Sequence, residues 1–138
     1  MQAPNLTEGN EGNKETSLPR CLRYDMSIDN IILKSIQTRL TQADVEAWCR
    51  QEQNTSEAFC DEFARRVAIG YTSHRFTFEE ANSAMNGLWF GFNFQVTKFA
   101  ESVYMCFDAG ECHPNKPHLA SDEVTRPLVE RLLNKNAA

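Results

Sequence analysis

From Ala81 to Cys106 the apolar residues Ala81, Met85, Leu88, Trp89, Phe92, Val96, Phe99, Val103 and Cys106 recur at steps of three and four. That spacing lasts about seven turns at 3.6 residues per turn, and it is the pattern of one face of an α-helix. Just before it, Thr77 and Glu80 have the spacing of a capping box, and Phe76 stands where a hydrophobic staple belongs. The pattern predicts a long, aromatic-rich helix from about Thr77 to the turn at Gly110. Phe90, Phe92, Phe94 and Val96 also alternate as a strand would, but over a much shorter stretch, so helix is the reading adopted.

On such a helix Phe90 and Phe94 form a second apolar stripe, away from the main face. Ala84, Gly87 and Gly91 form a stripe of small residues that would admit a neighbouring helix closely. Two interior glycines cost about 1 kcal/mol each relative to alanine. A packing reason, or a kink near Asn86 and Gly87, is therefore expected.

Four further helices follow from the same logic. Ile28, Ile32, Ile36 and Leu40, widened by Ile31 and Leu33, predict a first helix from about Asp25 to Leu40, capped by Asp25 or Ser27. Thr41 to Asp44 reads as the start of a second, with Val45, Trp48 and Cys49 on its apolar side. Gln53 to Ser56 breaks it, and Thr55 or Ser56 starts a third carrying Phe59, Phe63 and Val67, with Cys60 and Ala64 beside them. Its outer face mixes Glu57, Asp61, Glu62, Arg65 and Arg66 in oppositely charged pairs, the composition of a solvated surface. Gly70 is read as its C-terminal stop, and Gly110 as the stop of the long helix. A last helix is predicted over about Asp122 to Lys135, capped by Ser121 and carrying Val124, Leu128, Leu132 and Leu133. Its Pro127 fits only the first turn, which moves the regular helix toward Arg126.

Residues 1–19 are polar, with Leu6 and Leu18 as their only large apolar groups, and are read as a disordered tail ahead of a helical domain over 20–138. The expected fold is all-α: a single compact bundle of about five helices around the long aromatic-rich central helix. A chain of 138 residues suffices for one core.

Charge and cysteines narrow the function classes. Fourteen Lys and Arg against 19 Asp and Glu leave a net charge of −5, which argues against a protein that grips nucleic-acid backbone or anionic lipid. The longest uncharged run, Ala81 to Thr97, contains three asparagines and a glutamine and does not read as a membrane span. No secretory leader is evident, and five irregularly spaced cysteines fit reduced thiols, so a cytoplasmic location is expected. Cys49 and Cys60, next to core aromatics, read as small hydrophobes.

Residues 105–118 hold the chemistry-bearing side chains at highest density. Cys106, Cys112, His113 and His118 are the donor types of a tetrahedral zinc site. Five residues separate the two cysteines, more than a zinc knuckle uses, and Pro114 restrains His113. The same residues read more economically as a helix end followed by a proline-stiffened loop. A nucleophilic Cys112 paired with a histidine lacks any familiar frame, and His74 reads as a turn residue. No phosphate-binding glycine loop and no recognition helix is present in the sequence.

Nine of the 14 aromatic residues lie between Phe76 and Phe107, more than one helix of a small monomer is expected to bury. The leading expectation is therefore a small interaction module that is not an enzyme and needs no cofactor. It would bind and regulate or neutralise a partner protein, or self-associate. Phe90 and Phe94 would form the contact stripe, Gly87 and Gly91 the close-approach positions, and the charged third helix a polar rim. The alternatives are zinc binding at residues 106–118 and a nucleic-acid-associated regulator.

Overall fold

The protein is described by a computed structural model for residues 27–93, 95–112 and 119–136. Among these residues the chain forms six helices and no strand: α1 Ile28–Gln37, α2 Gln42–Glu52, α3 Ser56–Thr72, α4 Phe78–Gly91, α5 Lys98–Glu111 and α6 Ser121–Asn136. The fold is all-α, with six helices rather than five. The predicted tail 1–19 lies outside the described residues.

The first three helices begin where their caps stand. Ser27 accepts from the backbone N–H of Asn30, and Thr55 from that of Ala58. Thr41 and Asp44 form a reciprocal capping box. Asp44 is also the anchor of the α1–α2 corner, because Lys34 Nζ donates to both of its oxygens at 2.8 and 2.9 Å. The Thr41 hydroxyl and amide donate to the same carboxylate at 2.8 and 3.0 Å. Burial opposes ionisation of Asp44, but the hydrogen bonds from Lys34 and Thr41 outweigh it and hold the carboxyl below its ordinary pKa. The tight corner also explains why α1 stops at Gln37 and not at Leu40. Thr38 leaves helical geometry, and its amide and hydroxyl both donate to the Lys34 carbonyl.

The core is organised on α3, which packs against each of the other five helices. Its buried residues Phe59, Cys60, Phe63, Ala64, Val67, Ala68, Gly70 and Tyr71 cover more than one face, as a helix in that position requires. Phe59 meets Trp48 edge-on at 5.4 Å and stacks on Phe92 at 6.1 Å. At the other end Tyr71 and Phe78 both pack on Phe107, at 5.0 and 5.8 Å.

The predicted long helix is two helices. The capping box at Thr77 and Glu80 starts α4 as expected, but α4 ends at Gly91, Asn93 turns left-handed at φ 52°, and Thr97 caps α5. The break falls at 92–97 rather than at Asn86 and Gly87. The apolar period runs on through it because Phe92 and Val96, although outside a helix, still pack on the core. Thr97 is held in place by its hydroxyl, which donates to Asp61 of α3 at 2.6 Å.

Neither predicted glycine stop ends its helix. Gly70 lies inside α3 under the ring of Phe76, whose atoms come within 2.6 Å of where a β-carbon would stand. The chain reverses at His74 instead, in the left-handed region at φ 67°. Gly110 lies inside α5 against α6, where Thr125, Phe78 and the Ser121 carbonyl occupy the space of a β-carbon. Both glycines serve close approach, and no described glycine has a positive φ.

Helix α6 begins at Ser121 and carries Pro127 in its interior, not in its first turn. Pro127 is exposed, so water can reach the Glu123 carbonyl that proline leaves without an amide donor. The turns before it are fixed by tertiary bonds. Thr125 donates to the Cys106 carbonyl at 2.8 Å, and Arg126 donates to the Tyr71 carbonyl at 2.9 Å. Among the described residues no helix is long and apolar enough to cross a membrane.

Candidate interaction surface

Phe90 stands on α4 with 61% of its surface exposed. Beside it α4 and the α1–α2 corner leave a groove of about 440 Å³, lined among others by Arg39, Leu40, Thr41 and Asn86. Its floor is shaped by the two small residues singled out in the sequence. A β-carbon on Gly87 would lie 2.5 Å from Ser35 Oγ, and one on Gly91 would lie 3.3 Å from Leu40 Cδ2. The close approach those glycines permit is thus made by α1 of the same chain. Ser35 is buried there, with no hydrogen-bond partner for its hydroxyl among the described residues. Phe94 lies outside the described residues.

The charged face of α3 is largely engaged within the chain. Arg66 pairs with Glu62 at 2.8 Å and with Asp29 of α1 at 3.4 Å. Arg65 lies over the ring of Phe99 at 4.7 Å, and Asp61 receives the Thr97 hydroxyl. These groups join helices together as well as facing solvent.

The cysteine and histidine cluster divides at the end of α5. Cys106 is half-buried on the helix, while Cys112 is exposed and caps it. His113 and His118 lie outside the described residues. Among the described residues no three His, Cys, Asp or Glu side chains converge as a metal site would require. Burial pushes the Cys106 thiol up against a smaller opposing effect from Arg131, and burial also raises Cys49. Cys60 is pushed up to about 11, again chiefly by burial. These three thiols are held protonated, the opposite of what a nucleophile needs.

A polar cluster joins α3 to α6. The Tyr71 hydroxyl donates to Asp122 at 2.5 Å, and Arg126 pairs with Asp122 at 3.0 Å while lying 4.2 Å above the Tyr71 ring. Burial and then the Asp122 carboxylate raise the Tyr71 phenol, and the Arg126 hydrogen bond lowers Asp122. Each polar tip is used by another, so the arrangement clamps α3 to α6.

No protein-family model, curated protein or solved structure matches this chain.

Sequence reasoning missed a second groove, between α5 and α6, of about 580 Å³. Met105, 51% exposed, stands in it with Cys106, Leu128 and Leu132, and Glu101 flanks it on α5 while Arg131 and Lys135 flank it on α6. The available signal was Met105, an apolar residue off the stripe of Phe99, Val103 and Cys106. Only the placement of α6 makes that residue part of a groove.

Proposed function

We propose that this chain is a small cytoplasmic interaction module, not an enzyme, that binds and regulates a partner protein through the surface around Phe90. The supporting observation is a large aromatic side chain held mostly in water on a helix that is otherwise well packed, at the lip of a groove. Aromatic side chains, Phe among them, are enriched in the centres of protein interfaces. Arg39 and Asn86 supply polar groups around an apolar centre, which is the usual anatomy of such a contact. The protonated thiols and the closed Tyr71–Asp122–Arg126 cluster offer no competing chemistry.

The test is quantitative affinity capture from native cells with the wild-type chain beside Phe90→Asp, each first shown to fold by circular dichroism. Selective loss of the same proteins from the variant is the expected result. Recovery of identical proteins by both chains would remove Phe90 from the binding surface and the proposal with it.

A further inference from the structure

Helix α4 runs unbroken through Asn86 and Gly87, where a kink was expected. Of the chain's asparagines, Asn86 alone precedes a glycine. Glycine has no β-carbon, so the amide nitrogen of an Asn–Gly pair is the least hindered backbone nucleophile toward an asparagine side chain. Packing is what places a glycine here. A β-carbon on Gly87 would lie 2.5 Å from the Oγ of buried Ser35 on α1. Asn86 is half-buried at the groove, and no hydrogen bond engages its side-chain amide among the described residues.

Two features keep the reacting atoms apart. The Gly87 amide lies in the α4 ladder, donating to the carbonyl four residues back. A five-membered ring between that nitrogen and Asn86 Cγ needs the Asn86 ψ turned well out of the helical range, so the amide must first leave the ladder. That rotation swings Gly87, and Ser35 stands against it.

We propose that Asn86 is a deamidation site held shut by the docking of α1. When α1 lifts and the turn at Gly87 opens, the Gly87 nitrogen attacks Asn86 Cγ and gives up its proton. The Cγ–Nδ2 bond breaks, and ammonia leaves with that proton. Water then opens the resulting succinimide at one of its two carbonyls. Attack at the side-chain carbonyl leaves an aspartyl residue at position 86. Attack at the backbone carbonyl leaves an isoaspartyl residue, which carries one more carbon in the main chain. That carbon puts the two halves of α4 out of register, so Gly87 no longer meets Ser35 and α1 cannot reseat. A passing opening becomes a lasting one. The inference does not depend on the function proposed for the Phe90 groove.

Timed incubation of the full chain tests it, with the peptide containing Asn86 followed by mass spectrometry. Unfolded in guanidinium chloride at the same pH, the chain is expected to convert Asn86 about tenfold or more faster than the folded chain. Ile32→Val trims a buried methylene from α1 and is expected to speed conversion in the folded chain about two- to tenfold. Val129→Ala trims buried methyls from α6 instead and is expected to leave the rate unchanged. Circular dichroism first establishes that both variants fold. Equal rates in the folded and unfolded wild-type chain would overturn the protection. Equal acceleration by the two variants would show that the site opens with the whole chain and not with α1. An unfolded chain in which Asn86 does not outpace the other asparagines would overturn the site itself.

Discussion

Gly110 of α5 faces Thr125 of α6 with no room for a β-carbon between them, and the Thr125 hydroxyl in that gap donates to the Cys106 carbonyl. Gly110→Ala gains about 1 kcal/mol of helix propensity. It also pushes the hydroxyl off its acceptor and crowds Phe78, an overpacking cost of about 1–3 kcal/mol plus the lost hydrogen bond. The cost wins, and a net loss of about 2 kcal/mol in urea denaturation is expected. A variant as stable as the wild type would mean the two helices do not meet this closely.

Asp44→Asn removes the charge that Lys34 and Thr41 hold. A loss of about 1–3 kcal/mol at neutral pH is expected, as for other broken charge-assisted bonds. The folded pKa of Asp44 lies below its ordinary 3.8, so its contribution is full above that value and is lost as the pH falls through the folded pKa. Denaturation measured from pH 7 down to about 2 should therefore show a shallower acid decline in the variant. Equal declines would show that Asp44 is not held ionised.

Tyr71→Phe deletes the hydroxyl shared with Asp122 and is expected to cost about 1–2 kcal/mol. The phenol pKa is raised on folding above its ordinary 10.0, so the contribution of Tyr71 is full below that value and falls as the pH climbs past it. The wild-type chain should lose stability more steeply than the variant above about pH 10. Parallel alkaline profiles would contradict this.

Pro127→Ala restores an amide donor to the Glu123 carbonyl in the interior of α6. Proline costs about 3 kcal/mol in a helix interior, part of which its restriction of the unfolded chain returns. A gain of about 1–2 kcal/mol is expected by thermal or urea denaturation. No gain would mean that α6 is already bent to suit its proline.

The helix starts were legible where two residues cooperate. Thr41 with Asp44, and Thr77 with Glu80, each carry a hydroxyl and a carboxylate at fixed spacing, and both predicted starts are observed. The start of α5 was not legible, because Thr97 follows an unbroken apolar period, whereas Thr55, which also caps without a reciprocal partner, stands in the polar run 53–56. Phe92 and Val96 hid the break as well, since core packing asks for apolar residues whether or not the backbone is helical. Gly70 and Gly110 were misread for a different reason. A glycine chosen for a turn and one chosen for a close contact look the same in a sequence, and only the position of Phe76 or Thr125 tells them apart. The same limit applies to the surfaces. Phe90 is off the main stripe and is exposed as that position suggested, whereas Met105 joins a groove only once α6 is in place.

Helices α2 to α6 each pack on the next in the chain, but α1 packs on α3 and α4, which come later. Neighbours in sequence close small loops at little entropic cost, so those successive contacts form quickly, whereas the bonds of Tyr71 with Asp122 and Arg126 tie α3 to α6 across 51 and 55 residues. Seating Ser35 beside Gly87 closes a loop of about fifty residues and belongs to the slower class. The first and last helices are thus both held to the centre by long-range contacts, and in native-state hydrogen exchange their amides should open before those of α3, which packs on all five other helices.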